Sequence, residues 1–194
     1  MKYIRVLNRE RNSPSNLFWQ NKAIDWGEAH KLKHWDPVLS SSDGQEVAVV
    51  IYGRPHVHNS EWAHYDGSDA FISRRIRSEY LQANNWTWLN RLSGVFAIII
   101  FDSRRQEMHL ITDLAGVCPI YSRNPNNSRD VELASHPDLL AVGFDPIDLD
   151  KVSVAEFLNR GMVTPPHSYW EGISALEHGS VCLLYTSDAA DEED

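Results

Sequence analysis

The sequence predicts an α+β fold with a core of antiparallel strands. Two continuous apolar runs, 47–52 and 95–101, are rich in β-branched side chains, as is typical of strands buried on both faces. A further strand, 107–112, follows the second run across the polar turn 102–106, so the two are expected to form an antiparallel hairpin. We expect 46–52, 95–101 and 107–112 to be neighbouring elements of one core.

Composition supports a folded chain. Of the 194 residues, 42% are hydrophobic, and seven Trp, seven Tyr and six Phe argue against disorder because their burial offsets the entropy lost on ordering. The longest apolar run, 95–101, is far shorter than the roughly 20 residues that cross a bilayer. The N-terminus also lacks the apolar segment of a signal peptide. We therefore expect no membrane partner and a cytoplasmic protein.

The negative charge is concentrated at the C-terminus. The formal net charge is −9, and removing the five acidic residues of 188–194 leaves −4 for the rest of the chain. The stretch 182–191, Cys-Leu-Leu-Tyr-Thr-Ser-Asp-Ala-Ala-Asp, resembles the translation of an adapter used in shotgun sequencing libraries. Residues 182–194 are therefore interpreted as a read-through tail and excluded from fold reasoning. The alternative is a genuine, disordered acidic tail.

A first helix is predicted to run from about residue 69 and to end at Asn84-Asn85. Ser68 or Asp69 can cap it, and its apolar residues keep a helical spacing. Its three arginines are interpreted as a solvated helix face, since no other basic residues extend them into a groove; they are Arg74, Arg75 and Arg77. We therefore expect no nucleic-acid partner.

Two further helices are predicted in the second half. One is a single turn at 137–141. The other is capped by Asp150 or Ser153 and ends at Gly161. It is expected to bury three apolar side chains, those of Val154, Phe157 and Leu158.

Two further strands are predicted from short apolar segments. Residues 2–7 and 131–134 are short apolar segments with β-branched or aromatic positions. Residues 8–45 have no clear periodicity, and we expect loops there with one weak strand or helix.

Five motifs follow one another from residue 92 onwards. Residues 92–98 are Leu-Ser-Gly-Val-Phe-Ala-Ile, and residues 111–121 contain Asp-Leu-Ala-Gly-Val-Cys-Pro-Ile-Tyr. The others are Leu133-Ala-Ser135, Leu149-Asp-x-x-Ser-Val-Ala-Glu-Phe-Leu158 and Ile173-x-x-Leu-x-x-Gly179. In this order they resemble the class II glutamine amidotransferase domain that opens asparagine synthetases. The form Asp113-x-Ala115-Gly116 is similar to the β-lactam synthetase and lasso-peptide cyclase branches.

The resemblance implies an architecture and a parent protein. The fold would be a four-layer αββα N-terminal-nucleophile hydrolase-like sandwich of two antiparallel sheets. Residues 1–148 would form the amidotransferase-like domain, and 149–181 would begin the segment leading to a synthetase domain that is missing here. That domain would bind ATP and Mg, so no cofactor is expected in this fragment. The expected partner is the chain's own C-terminal synthetase domain. Whether the protein also forms a homodimer is left open by the resemblance.

The resemblance also implies a mechanism that needs a cysteine at position 2. In that family the N-terminal cysteine attacks the glutamine amide, and its own α-amine serves as the base. Position 2 here is Lys2. Cys118 cannot replace the missing thiol, because an interior thiol has no adjacent α-amine, and it is interpreted as a small buried hydrophobe. We therefore expect no catalytic residue in this chain.

The glutamine pocket implied by the resemblance is eroded as well. The family's Asn-Gly-Glu element, whose Asn supplies an oxyanion donor, maps onto Tyr52, Gly53 and Arg54, which preserve the glycine alone. Ser68 and Asp69 match the pair that holds the substrate α-amine, although Asp69 can equally be a helix N-cap. The arginine that holds the substrate carboxylate has no match in 8–45. Tyr52, Gly53, Arg54 and Asp69 are thus the candidate residues of a vestigial pocket.

The sequence gives only weak indications of a metal site and none of a nucleotide site. His56, His58 and His64, with Asp66 or Asp69, could hold zinc, but loop histidines are the favoured interpretation in a chain with nine. The sequence has no Gly-rich phosphate loop. We therefore expect no metal site and no nucleotide site in this fragment.

The leading hypothesis is a catalytically degenerate, structural glutaminase-like domain. Its parent would be an asparagine-synthetase-like, ATP-dependent carbon–nitrogen ligase. One alternative is an active glutamine-hydrolysing fragment whose start codon is miscalled, so that a true N-terminus would present a catalytic cysteine. Another is a stand-alone binding module that kept the fold and lost the chemistry.

Overall fold

The computed structural model describes residues 2–8, 17–19, 22–28, 38–40, 47–57, 69–83, 85–124, 131–141 and 148–185. Side chains are described for 47–56, 71–83, 85–124, 131–141 and 148–184. The chain divides into a first unit, residues 1–33 and 119–177, and a second unit, residues 34–118 and 178–194. Each unit contains one antiparallel sheet, so the predicted α+β fold with two antiparallel sheets is confirmed.

The described elements follow in chain order. The strands are β1 (Lys2–Asn8), β2 (Leu17–Trp19), β3 (Lys22–Glu28), β4 (Val38–Ser40), β5 (Val47–Val57), β6 (Leu92–Asp102), β7 (Glu107–Thr112), β8 (Tyr121–Arg123), β9 (Glu132–Ala134), β10 (Ile173–Ala175) and β11 (Val181–Tyr185). The helices are α1 (Asp69–Gln82), α2 (Asp138–Ala141), α3 (Lys151–Arg160) and a 3₁₀ helix (Thr87–Arg91). No helix in these ranges is long and apolar enough to cross a membrane.

The sheet of the first unit has the strand order β10-β8-β9-β1-β3-β2. β1 and β3 pair along their whole length, from Lys2 opposite Glu28 to Asn8 opposite Lys22. The expectation of loops with one weak strand or helix in 8–45 is wrong, because β2, β3 and β4 all lie there. Ile24 and Trp26 alternate with Asp25, which is a strand signal, but the stretch is short and becomes a strand by pairing with distant β1.

The sheet of the second unit has the strand order β11-β7-β6-β5-β4. β5 and β6 pair over eleven positions, from Val47 opposite Asp102 to Val57 opposite Leu92. β7 pairs with the other edge of β6, which confirms the predicted β6–β7 hairpin. The three segments predicted to be neighbours in one core therefore lie side by side in this sheet as β5, β6 and β7. Val49 and Ile99 are fully buried, as their apolar, β-branched runs indicate.

α1 packs on one face of this second sheet. Ile76 of α1 belongs to the same apolar cluster as Val49, Ile98 and Ile100 of the strands. The helix ends at Gln82, two residues before the predicted end marker Asn84-Asn85. Its solvated-face interpretation holds only in part, because Arg77 Nε donates a hydrogen bond of 3.0 Å to the Val47 carbonyl and so ties the helix to β5.

α3 has the predicted ends but not the predicted burial. The Asp150 side chain accepts hydrogen bonds from the Val152 N–H and the Ser153 hydroxyl, and Gly161 ends the helix at a φ of +73°. Phe157 and Leu158, expected to be buried, are 47% and 80% exposed, and Ser153 is the one buried residue of this helix. Periodicity places apolar residues on one stripe, but it does not supply a surface to cover them.

β11 is the edge strand beside β7. Val181 lies opposite Ile111, and Tyr185 lies opposite Glu107. The backbone of 182–185 is therefore part of the sheet. Ladder hydrogen bonds are made by the backbone whatever the side chains are, so the interpretation of 182–194 as an adapter-derived tail stays a prediction.

Candidate active site

The segment Tyr52-Gly53-Arg54 lies in β5, directly opposite β6. Gly53 has a φ of +97°, and a Cβ added there would overlap the carbonyl oxygen of Val95 and lie 2.9 Å from the Phe96 Cα. This position therefore requires glycine for two reasons, its backbone conformation and the close approach of β6. Tyr52 is half-buried, and Arg54 is exposed.

The glycine of the Leu-x-Gly motif lies across the same ladder. Gly94 has a φ of +98°, and a Cβ there would lie 2.8 Å from both the Arg54 carbonyl oxygen and the His56 Cδ2. Gly94 pairs with Pro55, next to the pairs made by Arg54 and His56. The two motif glycines thus allow β5 and β6 to approach closely at Tyr52-Gly53-Arg54, the segment predicted to belong to the pocket.

Asp69, the remaining predicted pocket residue, is placed only by its element, since α1 begins there. Lys2, at the position where the resemblance implies a cysteine, begins β1 in the first unit. Both side chains lie outside the described ones. Ser68 lies outside the described residues. Tyr52, Gly53 and Arg54 are thus consecutive residues of β5, and the Asp69 side chain lies outside the described ones.

The Asp-x-x-Gly motif forms a turn around a buried carboxylate. Asp113 is fully buried, and its Oδ1 accepts hydrogen bonds from the Ala115 and Val117 N–H groups at 3.0 and 3.2 Å. Its Oδ2 accepts a bond of 2.9 Å from the Cys118 N–H. The Gly116 N–H donates to the Asp113 carbonyl. One carboxylate therefore satisfies three N–H groups of a loop that has no regular pairing.

A second loop closes against this turn. The Gly179 N–H donates to the Asp113 carbonyl at 3.0 Å. A Cβ added at Gly116, whose φ is +64°, would lie 2.8 Å from the His178 Cε1, so the imidazole rests directly on the glycine. The motif residues Asp113 and Gly116, together with Gly179, have a structural role in joining two loops of the second unit.

Cys118 is in an environment that suppresses thiolate formation. Cys118 is 5% exposed. This burial, together with the negative charge of Asp113, raises the pKa of the Cys118 thiol to about 11. Burial also raises the pKa of the half-buried Cys182. Because the thiolate is the nucleophile, a thiol with such a pKa is almost wholly protonated near neutral pH. This environment favours the interpretation of Cys118 as a small buried apolar side chain.

The residues considered for a zinc site and for a basic surface do not form such a site in the described part of the chain. His56 is exposed on β5, while His58, His64 and Asp66 lie outside the described residues. Among the described residues, no group of three or more His, Cys, Asp or Glu side chains could hold a metal ion. Arg75 of the arginine-rich helix face pairs with Glu79 at 2.9 Å.

A polar cluster beside the turn of the β6–β7 hairpin was not predicted from the sequence. The Tyr80 hydroxyl donates to Asp102 Oδ2 at 3.0 Å and lies 3.2 Å from His109 Nε2, which is 3.1 Å from Glu107 Oε2. Arg104 pairs with Asp102 through two hydrogen bonds of 3.0 and 2.7 Å. The one signal in the sequence is a histidine within the apolar run 108–111.

The motifs agree with a known domain family, which matches residues 79–193 and is described as the glutamine amidotransferase domain. No curated protein matches the chain in sequence. Among solved structures, it is similar to glutamine phosphoribosylpyrophosphate amidotransferase from B. subtilis, in complex with ADP and GMP, with 14% identity over 73% of this chain and a TM-score of 0.43. The similarity covers 37% of that protein, so this chain spans little more than a third of its length. Because the family match extends over more than half of the chain, the chain belongs to the glutamine amidotransferase domain family.

Proposed function

We propose that this chain is a glutamine amidotransferase domain without glutaminase activity, serving as a structural part of an asparagine-synthetase-like, ATP-dependent amide-forming enzyme. The observation that carries the proposal is the state of its thiols. The chain has two cysteines, Cys118 and Cys182, and burial raises the pKa of both. Neither is an activated nucleophile of the kind that amide hydrolysis requires.

The pocket element supports the same proposal. The resemblance implies that an asparagine next to Gly53 donates a hydrogen bond to the oxyanion formed during hydrolysis. Tyr52 and Arg54 flank this glycine instead. Gly53 itself is required by the backbone of β5 and β6, so its presence needs no catalytic explanation. The element has kept its structural residue and lost its catalytic one.

The nature of the parent enzyme rests on the motifs beyond residue 148. Residues 149–158 and 173–179 match the segment that leads to a synthetase domain in asparagine synthetases, and they lie in α3 and around β10. That domain would carry the ATP and Mg site as a Ser-Gly-Gly-x-Asp-Ser loop and would be this domain's partner. Such a ligase can take free ammonia or a substrate amine, so glutamine hydrolysis would be unnecessary.

Ammonia release from glutamine by the purified chain tests the proposal. We expect no release above the buffer rate, and the same result for Cys118→Ser and for the matched variant Cys182→Ser. Release by the wild-type chain that disappears in Cys118→Ser and persists in Cys182→Ser would show that Cys118 is a relocated nucleophile and would overturn the proposal.

Restoring the missing groups one at a time provides a second test. Lys2→Cys, with the initiator Met removed, is expected to stay inactive because the oxyanion donor is still missing, and loss of one such donor costs on the order of 100 to 1,000-fold in rate. Adding Tyr52→Asn to Lys2→Cys should raise the rate above that of the single variant. Full glutaminase activity in Lys2→Cys alone would contradict the loss of the pocket.

A further inference from the structure

His109 is a buried imidazole on the sheet face that packs against α1. It is 7% exposed, and its register partners are Ile100 on β6 and Leu183 on β11. Two aromatic rings pack around it: Trp86 lies edge-on with ring centroids 5.0 Å apart, and Tyr80 of α1 lies at 5.5 Å. The imidazole is thus one of two polar contacts of Tyr80 with the sheet; the other is the Asp102 carboxylate.

The hydrogen bonds determine which imidazole nitrogen carries the proton. The Tyr80 hydroxyl has one proton, and it donates this proton to Asp102. The Tyr80 oxygen can therefore only accept from His109 Nε2, and the Glu107 carboxylate on the other side of this nitrogen is also an acceptor. The neutral imidazole is consequently the Nε2–H tautomer, with an unprotonated Nδ1.

Protonation would place a second N–H at Nδ1. This atom is buried and has no hydrogen-bond partner among the described residues. A proton added there would have no acceptor, and a buried N–H without an acceptor costs about 1–3 kcal/mol.

The charged groups around His109 come from three elements. Burial, the largest effect, and the positive charge of Arg105 in the hairpin turn lower the imidazole pKa. The carboxylates of Glu107 on β7 and Asp102 on β6 raise it, and the result is a pKa below the usual value of 6.5. Arg104 neutralises Asp102, and α1 contributes the uncharged phenol of Tyr80, whose pKa is raised by burial and by Asp102.

We propose that His109 is an acid-released latch that holds the last turn of α1 on the β6–β7 hairpin. The neutral imidazole holds the turn by donating its Nε2–H to the Tyr80 oxygen. A protonated imidazole leaves the buried position, which removes one of the two hydrogen bonds between Tyr80 and the hairpin and loosens the turn; the bond from Tyr80 to Asp102 remains. Release is confined to the C-terminal end of α1, because Arg77 still binds the Val47 carbonyl and Ile76 is buried in the core. This regulation is independent of the proposed function.

The direction of the effect follows from proton linkage. A solvated imidazole in the open state has a pKa near 6.5, whereas the latched imidazole has a lower one. The latch is therefore fully favoured above about pH 6.5. Below it, the open state binds a proton that the closed state does not, and the opening equilibrium constant rises by up to about tenfold per pH unit until the closed-state pKa is reached.

Hydrogen exchange of backbone amides tests the latch. Protection of residues 79–83, corrected for the intrinsic exchange rate, should fall by up to about fivefold between pH 6.5 and 5.5 in the wild-type chain, because the open-state imidazole is already half protonated at pH 6.5. His109→Gln is neutral at every pH and can still donate to Tyr80, so its protection should not change with pH. His136→Gln, a half-buried histidine of the first unit, should behave as the wild type. Equal protection at both pH values in the wild type, or a pH-dependent loss in His109→Gln, would overturn the proposal.

Nitrogen NMR of the wild-type imidazoles provides a readout that needs no variant. The His109 resonances should show the Nε2–H tautomer at pH 7.5 and a titration midpoint below 6.5. An Nδ1–H tautomer at pH 7.5, or a midpoint at or above 6.5, would overturn the latch even if His109→Gln failed to fold.

Discussion

The Asp113 carboxylate and the Cys118 backbone are joined by a hydrogen bond of 2.9 Å from the Cys118 N–H to Asp113 Oδ2. The same carboxylate orders the turn between them, and its negative charge, after burial, raises the pKa of the Cys118 thiol. The residue that shapes the turn of the family motif therefore adds to the effect of burial, which is the main cause of the raised thiol pKa.

Asp113→Asn is expected to destabilise the chain by roughly 3 kcal/mol or more. The substituted amide nitrogen cannot accept, so at least one buried N–H loses its partner, and hydrogen bonds to a charged group are lost as well. The measurement is urea unfolding followed by circular dichroism. Asp148→Asn, at an exposed position, is the control and should stay within about 0.5 kcal/mol of the wild type. Equal stabilities of the two variants would contradict the structural role of Asp113.

Cys118 should resist alkylation in the folded chain. A thiol with a pKa near 11 has roughly 100-fold less thiolate at pH 8 than one with a pKa of 9, and burial slows access further. Peptide mass spectrometry after iodoacetamide treatment would follow both cysteines in one sample. We expect the half-buried Cys182 to react first and Cys118 to react at a comparable rate only after unfolding in urea. Faster reaction of Cys118 in the native chain would contradict its protonated, buried state.

Gly53→Ala is expected to cost more stability than Gly172→Ala. Both positions have a positive φ, so each variant has backbone strain of about 1–2 kcal/mol. A Cβ at Gly172 would meet nothing within 4 Å, whereas one at Gly53 would collide with β6. The free energies of unfolding of the two variants, measured in urea, should differ in the direction that the collision predicts. If both lost the same stability, the close approach of β5 and β6 at this point would be refuted.

A pair of leucine variants tests the exposure of α3. Leu158→Ala should change the free energy of unfolding by less than about 0.5 kcal/mol, because Leu158 is 80% exposed. Leu140→Ala removes a fully buried side chain of α2 in the same unit and should cost about 2–5 kcal/mol. Chemical unfolding of both variants at equal concentration provides the comparison. A cost for Leu158→Ala close to that for Leu140→Ala would mean that α3 is buried after all.

Strong local patterns made much of the second unit predictable. The apolar, β-branched runs of β5 and β6 can only be buried on both faces, and the polar turn between β6 and β7 leaves a hairpin as the simplest connection. Asp150 and Gly161 mark the ends of α3, because an N-cap carboxylate and a left-handed glycine act on the backbone within a few residues. The order of the five motifs along the chain indicated the family, because motif order is a property of the sequence and does not depend on tertiary contacts.

The sequence alone determined the apolar strands and the ends of α3. The tertiary structure decided what is covered and what is joined. β3 exists because distant β1 pairs with it, Phe157 and Leu158 of α3 are left exposed by their unit, and Asp113 and His109 acquire their roles from partners on other segments. Periodicity and capping act over a few neighbouring residues, whereas burial and hydrogen-bond partners depend on which distant segments meet.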